Sequence, residues 1–192
     1  MPRPLTRHLL ETRPRVAAVE IREATPEDWP QIWPIFSEVV RAGETYAFDP
    51  AMTSDEAQAL WMERPPGHTA VALVEGTVVG TAKMGPNRPA GGAHVGTASF
   101  MVGPGARGHG VGRALATYVI DWHRAQGYRG IQFNAVVETN TAAVALWQSV
   151  GFEIVGTVPG AFHHPTQGYV GLHVMHLSLV SGRPQRRTRV TQ

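Results

Sequence analysis

Residues 98–115 read Ala-Ser-Phe-Met-Val-Gly-Pro-Gly-Ala-Arg-Gly-His-Gly-Val-Gly-Arg-Ala-Leu. Five glycines (Gly103, Gly105, Gly108, Gly110 and Gly112) fall between a strand-like run and an amphipathic helical run. Glycine lets a backbone approach a ligand closely, and the free amides of a following helix N-terminus attract anions. Arg107 and Arg113 add positive charge beside them. The chemistry this segment suits is the cradling of a phosphate or pyrophosphate. Gly103, Gly105 and Gly108 match G-x-G-x-x-G, but a dinucleotide fingerprint also needs an acid about 20 residues on, closing the next strand. The acids that follow are Asp121, inside the helical run, and Glu138. A triphosphate P-loop needs Gly-Lys-Ser/Thr, whereas this loop offers Gly108-His109-Gly110.

Other chemistries are bounded by composition. The chain has no cysteine, which removes thiol catalysis, disulfides and cysteine-ligated metal. Of the nine histidines, only His163-His164 and His173-x-x-His176 are close together. His173 and His176 fall on opposite faces of a strand, and His163-His164 read as a surface loop pair, so no metal is implied. Asn134 stands between Phe133 and Ala135 on a strand expected to be buried, where an amide needs partners. It serves either a structural network or a substrate. Glu138 reads as a solvated loop acid or as a proton acceptor, and Asn140 as a helix cap, a ligand contact or both.

The elements that must position these residues follow from periodicity. Val19–Glu23 reads as a strand, and Thr25-Pro26-Glu27-Asp28 as the capped start of a helix. That helix carries Ile32, Ile35, Phe36, Val39 and Val40 at helical spacing to Gly43, with Pro30 and Pro34 expected to bend or shorten it. After the loop 44–50, a second helix begins at Thr53 or Ser54 and closes by Pro65-Pro66-Gly67. Strands are expected over 69–75, 77–84, 94–102, 130–137, 152–158 and 169–179, with helices over 110–126 and 140–150. The order β-α-α-β-β-β-α-β-α-β-β argues an α/β domain around a mixed sheet.

A chain of 192 residues is long enough for one self-sufficient core. Of the seventeen basic residues all but Lys83 are arginines, and eight of them fall within 1–15 and 181–192. The body between those tails carries nine basic and fourteen acidic residues, a net −5. Such a body is a poor platform for nucleic acid. The expected organisation is an N-terminal arm (1–18), one domain (19–180) and a basic tail (181–192). No apolar stretch suffices to span a membrane, and the N-terminus has no secretory h-region, so a cytoplasmic location is expected.

Arg107-Gly108-His109-Gly110-Val111-Gly112 fits R-x-x-G-x-G. About 30 residues later comes Asn140-Thr-Ala-Ala143-Val-Ala-Leu146-Trp147-Gln-Ser-Val-Gly151-Phe152. Together these resemble the two signature motifs of the GNAT N-acetyltransferases, over roughly residues 19–180. Gly43-Glu44-Thr45-Tyr46, Phe133-Asn134-Ala-Val and Gly156-Thr157-Val158-Pro159 are similar to the branches that acetylate proline analogues (azetidine-2-carboxylate) and phosphinothricin. Thr97 departs from the Asn of the proline-analogue branch.

The resemblance implies a mostly antiparallel mixed sheet with a V-shaped split between strands 94–102 and 130–137. It implies acetyl-CoA as co-substrate, without a metal. Arg107, Gly108, Gly110, Val111, Gly112 and Arg113 would hold the pyrophosphate, Phe100, Met101 and Val102 the pantetheine arm and acetyl carbonyl, and Asn140 would bond near the arm or the thiol end. The amine would sit among Glu44, Tyr46, Phe48, His94, Thr97 and Asn134, with Asn134 and Glu138 as the catalytic candidates. A tyrosine that protonates the thiolate in many family members is replaced by Trp147, whose indole has no usable acid. The expected acceptor is a small amine, an amino acid or an analogue, in a ternary complex, and a homodimer is the expected assembly. Two alternatives stand: acetylation of a protein N-terminus or lysine, and a non-catalytic acyl-CoA sensor.

Overall fold

The computed structural model describes residues 18–180; the two arginine-rich tails lie outside them. In chain order the elements are β1 (Glu20–Glu23), α1 (Trp29–Ala42), α2 (Ser54–Trp61), β2 (His68–Val74), β3 (Thr77–Pro86) and β4 (Val95–Val102). They continue as α3 (Val111–Ala125), β5 (Gly130–Val137), α4 (Thr141–Ser149), β6 (Glu153–His164) and β7 (Gly168–Ser178). The seven strands form one sheet in the order β1-β2-β3-β4-β5-β7-β6. Every neighbouring pair is antiparallel except β4 with β5. Those two run parallel and pair only at Val95↔Gly130 and Gly96↔Ile131, at their N-terminal ends. Beyond that point they part, and the sheet opens into a wedge.

Alternation along β2 decides which helix covers which face. Val71 and Leu73 join Trp29, Ile32, Phe36 and Trp61 of α1 and α2. Ala70 and Ala72 turn the other way, with Ala82, toward Val111, Leu115 and Val119 of α3. Ile131, Phe133 and Met175 pack with Trp147 and Phe152 around α4. At the apex of the wedge the His123 ring lies under Gly96, where a Cβ would come within 2.2 Å of it. His123 is wholly buried, and burial lowers the imidazole pKa, which keeps the ring neutral.

Two expectations change. Helix α1 is not shortened: it runs 14 residues through Pro34 to Gly43, which caps it in the left-handed conformation. Six buried apolar side chains on its inner face outweigh the hydrogen bond that Pro34 cannot make. Strand β6 extends to His164 instead of ending near Val158. Register shifts at Ile154/Gly156 and Val158/Phe162 absorb the residues that read as breakers. Pro159 is tolerated because β6 is an edge strand. His163 and His164 therefore lie on a strand, and His164 is buried, contrary to the surface-loop expectation.

The entry into α1 is fixed by charge. The Arg22 guanidinium donates to both Asp28 oxygens, at 2.7 and 2.8 Å, and the Thr25 N–H donates to Asp28 Oδ2 at 2.8 Å. These bonds, that from Arg22 foremost, hold the Asp28 carboxyl at about 2. A depressed carboxylate pKa stabilises the fold above its unfolded value and ceases to do so as pH falls through the folded one. Stability should therefore drop between about pH 4 and pH 2. Asp28→Asn should remove roughly 2 kcal/mol at neutral pH and flatten that acid limb in urea titrations. An unaltered limb in the variant would assign it to other carboxyls.

Candidate active site

The wedge is lined from three directions, which bring Phe100, Trp147 and Tyr46 around β4. Strand β4 supplies its floor. The Phe100 ring turns to the α4 side, 4.6 Å from the Trp147 ring and 5.8 Å from Phe133. Met101 turns to the opposite side and is buried in the α1/α2 core. Val102 ends the strand, half-buried. Trp147 is buried against Phe100, Phe133 and Phe152, forming a wall.

At the mouth, the chain leaves β4 through a short turn, Pro104–Ala106, and reaches α3 by way of Arg107, Gly108, His109 and Gly110, all exposed. Gly110 takes the N-cap place with φ 81°, a left-handed conformation that favours glycine. No side chain caps this end. The first amides of α3, from Val111, Gly112 and Arg113, lack the intrahelical partners that later turns have. Side-chain positions at Gly105, Gly108 and Gly110 would face open space. Arg113 is steered by α4, donating to Ser149 Oγ at 2.8 Å. Exposed amides, a positive helix end and Arg107 fit a diphosphate well.

On the α4 side, Asn140 caps the helix: its Oδ1 accepts from the Ala143 N–H at 3.2 Å. Its side-chain NH2 is not used in the cap. Glu138 is exposed yet tethered, its carboxylate accepting from the Gly171 N–H while its own N–H donates to Gly171 O at 3.0 Å. It thus ties the end of β5 to β7.

The third direction is the loop between α1 and α2. Tyr46 stacks on Phe48 with ring centres 5.2 Å apart, and Phe48 stacks on Phe36 at 5.9 Å. The Tyr46 hydroxyl reaches β4, where it donates to Phe100 O at 2.8 Å and accepts from the Phe100 N–H at 2.9 Å. Burial pushes the Tyr46 pKa up to about 12. Glu44 stays exposed nearby in sequence. Thr97 lines a cavity of about 210 Å³ with Ser99, Lys83, Glu63 and Gly85. Lys83 Nζ donates to Leu60 O at 2.8 Å and pairs with Glu63 Oε1 at 3.1 Å.

Asn134 is exposed, not buried as its flanking residues suggested. The register shift between Phe133 and Val136 and the opening of the wedge leave this face of β5 uncovered. Its amide bonds Asn87 Oδ1 at 2.6 Å and accepts from Gln132 Nε2 at 2.8 Å. His94 lies apart, in a shallow depression with Gln126 and Tyr128. Sequence reading missed Ser99, Lys83, Asn87 and Gln132. Ser99 shares a strand face with Thr97 by simple alternation, so its signal was present. Asn87 had none, because its partner is 47 residues away. Among the described residues no cluster of three or more His, Asp or Glu could hold a metal ion. No helix there is long and apolar enough to cross a membrane.

Residues 20–152 match the model of the acetyltransferase (GNAT) family. A GCN5-related N-acetyltransferase from Kribbella flavida is 61% identical, with a TM-score of 0.83, covering 84% of this chain and 98% of that one. A ribosomal-protein-alanine N-acetyltransferase from Brucella melitensis is 29% identical at TM-score 0.75, covering 83% and 99%. The structure of yncA from Salmonella typhimurium with its cofactor acetyl-CoA is 25% identical at TM-score 0.76, covering 89% and 99%.

Proposed function

The chain belongs to the GNAT family of acetyl-CoA-dependent acetyltransferases, and from that premise we propose that its acceptor is the amine of a small molecule, an amino acid or a close analogue. The observation that carries this reading is the cavity of about 210 Å³ beside Ser99 and Thr97, one residue from Phe100. Its volume suits a single small amino acid. The Thr97 and Ser99 hydroxyls offer donors to a carboxylate, while Lys83, bonded to Leu60 O and paired with Glu63, has one N–H to add.

In this reading Arg107, Gly108, Gly110, Val111, Gly112 and Arg113 bind the diphosphate of acetyl-CoA. The arm lies along the edge of β4 over Phe100, Met101 and Val102, where the Phe100 N–H and C=O are held by the Tyr46 hydroxyl and Val102 offers its backbone, and the Asn140 amide lies beside it. The acceptor enters from the α1/α2 side, bounded by Tyr46 and Phe48 with Glu44 at the rim, and meets Thr97 and Asn134. His94 belongs to the outer approach rather than the pocket wall. The amine attacks as the neutral species, so it must shed a proton first. Glu138, just past the end of β5, and Glu63, which lines the cavity, are the carboxylates that could take it. With no cysteine in the chain, transfer is direct and no cysteine-bound acetyl group forms.

The test is thiol release from acetyl-CoA with azetidine-2-carboxylate, phosphinothricin, methionine sulfoximine, polyamines and peptides with an N-terminal alanine. Turnover confined to the amino-acid analogues is expected. Asn134→Ala should then lower kcat about tenfold, the loss of roughly one hydrogen bond to a charged or developing group, with the acetyl-CoA KM unchanged. Turnover confined to the alanine peptides would favour a protein N-terminus, the reading suggested by the relative from Brucella melitensis. Tight acetyl-CoA binding without turnover would make the domain a sensor.

A further inference from the structure

Trp147 leaves the wedge without an acid on the α4 side, since an indole has no proton to give to a thiolate. The opposite wall has one. In the β3–β4 ladder Phe100 faces Ala82. Its N–H and C=O are both taken by Tyr46, so both point away from β3 and into the gap that β5 leaves. A single hydroxyl that accepts from that N–H and donates to that C=O stands where the next strand's backbone would be. It is therefore at the edge of β4 that carries the acetyl donor in the reading above.

We propose that Tyr46 is the catalytic acid of the transfer, donating its hydroxyl proton to the sulfur as the thioester breaks. The inference rests on the placement of the acetyl donor along Phe100–Val102. The amine nitrogen forms a bond to the carbonyl carbon. The C–S bond breaks with its electron pair passing to sulfur, and the Tyr46 Oη–H, turning from Phe100 O to the sulfur, supplies the proton that makes the free thiol. The phenolate regains a proton from the acetylated nitrogen, directly or through water, and the cycle closes with amide and thiol as the only products. Burial pushes the phenol up to about 12, so the hydroxyl keeps its proton throughout the working pH range, and a more acidic phenol would give it up more readily. The stacking of Tyr46 on Phe48 and its edge contact with Trp61, at 6.2 Å, fix the ring so that the hydroxyl has little freedom to leave β4.

Tyr46→Phe should lower kcat about 10²-fold, within the usual contribution of one proton-transfer group. The acetyl-CoA dissociation constant, read by calorimetry, should change by less than about threefold, because ground-state binding loses no contact with the thiolate. Replacing Tyr46 with 3,5-difluorotyrosine keeps the ring and its bonds but makes the phenol more acidic. The basic limb of the kcat–pH profile should then move to lower pH, a change that a merely structural tyrosine would not produce. An unchanged kcat in Tyr46→Phe, or an unmoved profile in the fluorinated protein, overturns the assignment. If the unaltered enzyme turns over none of the amines, the acceptor reading and this one fail together. If it turns over and Tyr46→Phe is unaffected, only this one fails.

Discussion

Combining Arg107→Ala with Gly110→Ala should raise the acetyl-CoA KM on the order of a hundredfold at saturating amine. Two independent losses add. Gly110 holds φ 81°, and an alanine there is penalised by about 1–2 kcal/mol although its Cβ would meet no neighbour. The cost is met by rotating the peptide that leads into Val111, which turns the first amides of α3 away from the anion. Arg107 is exposed at the loop crest, and a charge-assisted hydrogen bond to a phosphate is worth about 1.5–3 kcal/mol. Roughly 3 kcal/mol in total corresponds to about two orders of magnitude. The substitutions lie beyond the end of β4, so kcat at saturating cofactor should stay within a factor of two or so. Initial rates across acetyl-CoA concentrations decide the matter, and a KM that does not move would show that the loop is not the cradle.

The second large effect is on stability. Trp61 is completely buried at the end of α2, its indole N–H donating to Thr81 Oγ1 at 3.0 Å and its ring meeting Phe36 edge-on at 5.6 Å. Trp61→Ala removes that packing and opens a cavity, at a cost of about 3–5 kcal/mol. For a domain of this size the melting temperature should fall by roughly 10 °C. Thr81 keeps its own bond to Ala70 O at 2.9 Å, so Trp61→Phe, which refills most of the space, should recover more than half of the loss. Equal melting of Trp61→Ala and the unaltered chain would mean that α2 contributes little to the core. Because Trp61 also backs Tyr46, the alanine variant should lose activity at temperatures where it is still folded.

The features legible in the sequence are those that depend on consecutive residues. The Asn140 cap and the Thr53 cap each declare themselves within four positions and the glycine loop within ten, and all lie at the ends of the helices expected for them. The hairpin of β2 and β3 and the split between β4 and β5 followed from the order of elements and the family likeness. The features that escape a sequence reading depend on distant pairing. The bond from Tyr46 to Phe100 spans 54 residues, and no local pattern distinguishes a tyrosine that lines a pocket from one that bonds a strand. The exposure of Asn134 arises because β5 diverges from β4, a feature of the sheet rather than of its flanking apolar residues. Helix-breaking and strand-breaking residues misled in the same way, since Pro34 and Pro159 sit where burial or an edge position tolerates them.

Two residue pairs alone join β4 to β5, so the ladder is almost cut in half between β1–β4 and β5–β7. What rivets the halves is α3, which sets Leu115 and Val119 on the first and Ala116 and Ile120 on the second. In amide exchange the halves should behave as two cooperative units sharing one helix, each loosening before the whole unfolds. Amides of β4 that face the seam should exchange through such local openings, while those of β2 and β3 wait for global unfolding. A molecule threaded along the seam would supply the missing rungs, and protection of both halves should then rise together.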